Sequence, residues 1–494
     1  MEELQEFGTV VLIIAGGFSL ALVTSKLTER FPVPSPALFL IVAAIVSDLV
    51  PALTDHVPAK TVERIGVVAL IVILFDGGMH VGWRRFRRSA LPIASLGVIG
   101  TFGTAAVMAV LAHAVLGFEW TTAFVIGAAL APTDPAVMFS VLGNREVGGR
   151  SGTILEGESG ANDPVGIAFM LAVLEFAMGD GGSGWTLVAD FSIQMAVGLV
   201  VGAIGAALLL PLMQRVSLPN EGLYSIRVLA AAGVIYGAAS LLHGSGFLAV
   251  FVAGLLISDA RAPYKGEIER FHTALASLAE VVVFVALGLT IDFTNLFDDR
   301  QWFDGLLLAL FLALIARPLV AGLLLLPVRL RFGERLFVMW GGLKGAVPIL
   351  LATFALLAGV DDAERIYNIV FVVVAFSVIV QGSSLAFVAA RLHVPMRIVE
   401  PEPWNISIRL RQEPHDLRRF IVAPQARAVG QTIRDLPLGE KTWISMVLRE
   451  GRARQARGSY RVEAGDEVLA IATAADVAAL TRLFEADVRS RDTS

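Results

Sequence analysis

Apolar runs of about 18 to 25 residues recur along the chain until about residue 391, and each can cross a hydrocarbon core of about 30 Å. The pattern predicts about thirteen spans, near 7–26, 35–53, 62–81, 90–116, 119–142, 153–177, 187–213, 224–242, 245–259, 273–291, 302–327, 334–359 and 365–391. Basic residues gather in alternate loops: Lys26 and Arg30, then Arg84, Arg85, Arg87 and Arg88, then Arg145 and Arg150, Arg215 and Arg227, and Arg261, Lys265 and Arg270, then Arg329, Arg331 and Arg335. The intervening loops are neutral or acidic, as at Asp298-Asp299. Positive charge marks the cytoplasmic side, so the expected orientation has the N-terminus outside and the C-terminus inside. The first run follows an acidic start (Glu2, Glu3, Glu6) with no basic n-region or cleavage site, so it reads as a retained span.

The pattern changes after Arg391. A membrane domain over 1–395 is expected to pass through a linker, 396–404, to a small α+β domain over 405–487 and a polar tail, 488–494. In that domain Phe420-Ile421-Val422, the run 443–448 and the run 467–472 read as strands. The segment 429–436 reads as a short helix between strands, and a second helix begins at Ala475-Asp476.

Composition agrees with a membrane protein, since 56% of the 494 residues are hydrophobic and only 17% charged, against about 25% charged in soluble domains. A net charge of -5 gives no reason to expect nucleic acid as a partner. The absence of cysteine excludes disulfides and thiolate metal sites. No nucleophile–base pair or metal constellation suggests an enzyme.

Four apolar spans carry polar groups that are costly at membrane depth and therefore read as functional. One holds Glu158-Ser159-Gly160-Ala161-Asn162-Asp163, with Pro164 next to Asp163. Asp163 can hold a proton or a bare cation; the bland alternative is an aspartate capping a helix break. In the fifth span, Ala131-Pro132-Thr133-Asp134-Pro135 cannot sit in an unbroken helix, and a break there exposes carbonyls beside the Thr133 hydroxyl and the Asp134 carboxylate. The twelfth span carries Gly341-Gly342-Leu343-Lys344-Gly345-Ala346-Val347-Pro348. Interrupted spans in the two halves point to an inverted-repeat transporter with its site near the midplane. Lys344 either offsets a helix end or carboxylate at the crossing, or snorkels to the interface. In the eleventh span Arg317 must find an anion, and Glu158, off the face of Asp163, is free to be that anion. His113, His243 and His272 show no ligand spacing.

Taken in order, these motifs resemble the sodium/proton exchanger family of monovalent cation:proton antiporters, in its electroneutral, NhaP-like branch, which has Asn-Asp where the electrogenic branch has Asp-Asp. The resemblance implies a polytopic all-α membrane fold with inverted repeats and two crossed, discontinuous helices, working as a homodimer in the cell membrane. It implies exchange at Asp163, with Thr133, Asp134, Ser159 and Asn162 supplying or orienting ligands for a monovalent cation, and Glu158 and Arg317 forming a structural ion pair. Lys344 departs from the arginine that many members carry, which puts a bidentate contact there in doubt. The tail, through Ala428–Leu436 and Tyr460–Leu469, resembles the C-terminal subdomain of regulators of potassium conductance (the TrkA-C or RCK_C type). Its dinucleotide-binding half is absent, because no Gly-x-Gly-x-x-Gly unit precedes it. Similar subdomains bind cyclic di-AMP, the one cofactor the resemblance suggests. Arg452, Arg454 and Arg457 read as phosphate ligands or as a solvated basic loop near lipid headgroups.

The expected mechanism is electroneutral antiport of K⁺ or Na⁺, with Li⁺ as a further candidate, against H⁺ by alternating access. Proton and cation compete for Asp163, and only the neutralised site crosses cheaply. A gated cation channel and a membrane sensor controlled by the tail are the alternatives.

Overall fold

The computed structural model describes residues 35–49, 58–134, 138, 142, 145–179, 184–260, 262–291, 296–297, 300–398, 417–439, 442–449, 452–472 and 476–485. The chain divides into two compact units between Glu402 and Pro403.

The first unit is helical. Among the described residues, eight helices are long and apolar enough to cross a membrane: Ala59–Val81, Ala90–Leu116, Gly149–Ala177, Trp185–Arg215, Gly222–Leu241, Lys265–Gly288, Gln301–Leu324 and Ala363–Arg391. Four shorter apolar helices, Leu38–Asp48, Trp120–Leu130, Gly246–Ile257 and Ala346–Ala358, occupy other expected spans. The expected span at 7–26 lies outside the described residues. Glycines end several helices in the left-handed conformation that spares a Cβ clash, as Gly117 does after Leu116.

Burial differs sharply between helices. Gly246–Ile257 is buried along nearly its whole length. It approaches Ala59–Val81 so closely that a Cβ on Gly254 would strike the backbone of Phe75, the small-residue contact that lets helices pack without a hydrophobic drive between them. Helix Gly184–Arg215 instead exposes Val188, Ile193, Leu199, Ile204 and Leu208, the surface a lipid-facing helix presents. Near the end of this unit β1 (Arg145–Val147) pairs antiparallel with β2 (Met396–Ile398). The segment expected as a linker from residue 396 therefore begins as a strand, too short for any periodicity to announce.

The second unit is an antiparallel sheet of β3 (Leu417–Ile421), β4 (Trp443–Arg449), β5 (Arg452–Gln455) and β6 (Glu467–Ile471), in the order β3-β6-β4-β5. Helix Val477–Phe484 packs Leu480, Leu483 and Phe484 against Phe420, Val447 and Val468. The expected helix over 429–436 is a 3-10 turn, Ile433–Asp435, following a left-handed Gly430. Strand β5 was not expected, because its Arg-Ala-Arg-Gln sequence has no apolar alternation. The buried Asp466 carboxylate takes Arg449 Nε at 2.7 Å and Nη2 at 2.9 Å, and these bonds hold the Arg449 guanidinium above its ordinary pKa.

Candidate ion site

Two interrupted helices meet at their breaks. The first stops at Leu130, and residues 132–134 run on without helical hydrogen bonds. The second stops at Trp340 and restarts at Ala346. The two unwound segments are joined where Asp134 N donates to Leu343 O at 2.8 Å. Glycine is required at this crossing: a Cβ on Gly345 would fall on the Asp134 carboxylate, and one on Gly342 would strike the Arg317 guanidinium.

Lys344 lies at the same point and is buried. Its Nζ donates to Ala131 O at 2.9 Å and to Pro132 O at 2.7 Å, and Ser377 Oγ accepts its backbone N–H at 2.9 Å. The ammonium thus caps the carbonyl end of the first broken helix, where the helix dipole is negative. Of the two readings open in the sequence, the side chain does not snorkel to the interface.

Helix Gly149–Ala177 runs past the crossing with Glu158, Ser159, Asn162 and Asp163 all buried. Asn162 Nδ2 donates to Thr133 Oγ1 at 2.7 Å, and Thr133 Oγ1 lies 3.2 Å from Ser159 Oγ. With its nitrogen turned to Thr133, Asn162 presents Oδ1 to the site. Asn162 Oδ1 and Asp163 Oδ1 are enclosed and have no hydrogen-bond partner among the described residues. Asp163 is near enough to Asp134 and Lys344 for their charges to interact. Thr133, Asp134, Ser159, Asn162, Asp163 and Lys344 therefore converge, while Pro135 lies outside the described residues. Glu158 meets Arg317 through both oxygens, with Nη2 at 2.9 Å from Oε2. Arg317 Nη2 also reaches Val338 O at 3.4 Å, at the foot of the second broken helix. The pair ties helix Gly149–Ala177 to helix Gln301–Leu324.

Three polar residues of the membrane unit, Ser377, Asp76 and Glu280, were not singled out by reading the sequence. Ser377 resembles any hydroxyl in an apolar run, so nothing marked it. Asp76 and Glu280 did carry a signal, an ionisable residue inside an apolar span. Asp76 accepts from Thr273 Oγ1 at 3.2 Å and pairs with His80 at 3.2 Å. His272 is buried on the same flank, its Nδ1 2.8 Å from Ile268 O. In the second unit Arg454 and Arg457 are exposed, Arg454 within strand β5 rather than in a loop.

The sodium/hydrogen exchanger transmembrane family model matches residues 17–391. The chain belongs to the sodium/hydrogen exchanger family. Residues 417–485 of the exchanger match the TrkA-C domain. The exchanger is 29% identical to the K(+)/H(+) antiporter NhaP of Alkalimonas amylolytica over 99% of its own length and 85% of that protein's. It is 30% identical to the K(+)/H(+) antiporter NhaP2 of Shewanella oneidensis, over 94% and 81% of the two chains. The sodium proton antiporter MjNhaP1 of Methanocaldococcus jannaschii shares the fold, with a TM-score of 0.68 at 24% identity, covering 79% of this chain and 99% of that one.

Proposed function

We propose that the exchanger trades a monovalent cation, K⁺ or Na⁺, for a proton, one for one, at Asp163. The observation that carries the reading is the pair of enclosed oxygens without hydrogen-bond partners among the described residues, Asp163 Oδ1 and Asn162 Oδ1, beside the Thr133 and Ser159 hydroxyls. A bare carboxylate in a low-dielectric site is costly, and a proton or a cation relieves that cost equally well. The same oxygens suit a partly dehydrated hard cation. Competition for one carboxylate gives exchange without a separate gate. Carriage follows from rocking of the broken-helix unit within a homodimer.

Asn162 is neutral, so only one acid at the Asn162-Asp163 position changes partners, which makes the cycle electroneutral. Asp134 orients the crossing and lends an oxygen to the cation, with Thr133 and Ser159. Lys344 offsets the helix end, and the Glu158–Arg317 pair holds the fold. The names of the relatives support K⁺ as a substrate. The C-terminal unit is the regulatory part, on the cytoplasmic side, and the N-terminus lies outside. A channel or sensor reading has no comparable support.

Sealed proteoliposomes with an imposed pH gradient test this directly. Adding K⁺, Na⁺ or Li⁺ collapses the gradient, at a rate unchanged by an imposed membrane voltage. A voltage-dependent rate would contradict one-for-one exchange, and no response from either the whole chain or a chain lacking residues 403–494 would contradict antiport.

A further inference from the structure

Helix Ala363–Phe376 belongs with the two broken helices. It packs against Ala346–Ala358, the restarted half of the second, against Trp120–Leu130, the first half of the first, and against Gln301–Phe311. Helix Lys265–Gly288 belongs to a different group. It packs against Ser35–Leu49, Ala59–Val81 and Gly222–Leu241, and it meets the broken-helix group along Ala346–Ala358. The end of this helix is fixed to Ser35–Leu49 at two points. A Cβ on Gly288 would strike Leu40 O, and Ser47 Oγ donates to Leu289 O at 2.8 Å.

Tyr367 reaches across the seam between the two groups. It is buried, one turn into helix Ala363–Phe376. Its hydroxyl hydrogen-bonds Thr290 Oγ1 and lies 3.3 Å from Leu287 O, near the end of helix Lys265–Gly288. Thr290 Oγ1 itself donates to Leu287 O at 2.8 Å, so the phenol proton goes to Thr290 Oγ1. The last carbonyls of a helix lack donors within it, and the threonine and the phenol together close this end. A buried tyrosine hydroxyl needs a partner, and here that partner stands on the other group.

We propose that the Tyr367 phenol is a latch between the broken-helix group and helix Lys265–Gly288, a bond that holds the present conformer and breaks in every transport cycle. The inference rests on the reading that the broken-helix unit rocks to carry its cargo. A bond made in one conformer and lost in the other shifts the balance between them by its own free energy. A purely structural tyrosine would fill space with its ring, and removing its hydroxyl would not speed exchange.

The test compares wild type, Tyr367→Phe, Thr290→Val and the double variant in proteoliposomes, reading cation-driven collapse of an imposed pH gradient. Each single variant keeps the shape and loses the bond, and its maximal rate is expected to rise about threefold or more. The double variant is no faster than either single one, because both remove the same bond. A Tyr367→Phe rate at or below that of wild type would overturn the latch, as would a double variant whose gain is the product of the two single gains. If Tyr367→Phe does not reach the membrane, Thr290→Val decides by the same reading: a faster rate supports the latch, and an equal or slower one overturns it. Wild type tells the two failures apart. No cation-driven exchange in wild type would overturn the transport reading and the latch with it, whereas normal exchange in wild type with no gain in the variants would overturn the latch alone.

Discussion

Lys344 leaves one broken helix and ends in the mouth of another, its Nζ 2.7 Å from Pro132 O. It lies 2.9 Å from Ala131 O as well. These are two separate single-point donations. An ammonium with rotatable donors makes them without the planar fork of an arginine, so the departure from the arginine of many family members costs no contact here. Replacing the side chain by an apolar one of similar length strands both carbonyls. Lys344→Met is expected to lose about 2–4 kcal/mol of stability, read as a lower melting temperature of the purified exchanger, together with its flux. A melting temperature equal to that of wild type would show that the carbonyls find other partners.

Glu158 and Arg317 are both buried and pair through both carboxylate oxygens. Removing either partner leaves a buried charge alone, at a cost of about 3–5 kcal/mol. Glu158→Gln and Arg317→Met should each destabilise the protein by that amount, and the double variant by clearly less than their sum. Thermal unfolding of the four proteins closes this cycle. Additive losses would mean that the two residues act independently.

The crossing leaves no room at Gly345. In Gly345→Ala the added methyl meets the Asp134 carboxylate, and the two breaks must part. A displacement on the order of 1 Å can lower a rate about a hundredfold, and a loss of flux of that order is expected. Gly233→Ala is the control, since a Cβ there meets nothing within 4 Å, and its flux should match wild type. Equal flux in both variants would mean that the crossing is slack.

What could be read from the sequence, and what could not, follows from the bilayer. Ionisable and helix-breaking residues are expensive inside an apolar run, so Asp163, Asp134, Arg317 and Lys344 stand out one by one, and the breaks beside them mark the crossing. Ser377 did not stand out, because a hydroxyl is cheap in a helix and its role depends on a partner 33 positions away. Strand β2 escaped notice because three residues carry no period. Which of two roles Lys344 fills was equally open in the sequence, since snorkelling and capping use the same residue and differ only in where its stem points. Asp76 and Glu280 had the same intramembrane signal as Asp163 but no accompanying break to single them out.

In the second unit, Asp466 is buried and depends on Arg449, whose guanidinium also stacks 4.9 Å from the Tyr460 ring centre. Arg449→Ala leaves that carboxylate without its charged partner and should cost the unit about 2–3 kcal/mol. Hydrogen exchange on the full-length protein reads this as faster exchange of the β4 and β6 amides, with the membrane helices unchanged. Unaltered protection of β4 and β6 would show that the sheet does not rely on this pair.

The central claim is that one carboxylate carries both cargoes. Proton flux driven by K⁺ or Na⁺ in sealed proteoliposomes, measured side by side for wild type and Asp163→Asn, tests it most directly. The account predicts cation-triggered collapse of the pH gradient in wild type and none above background in Asp163→Asn, with the variant folded and inserted as before. Exchange that survives in Asp163→Asn would contradict it.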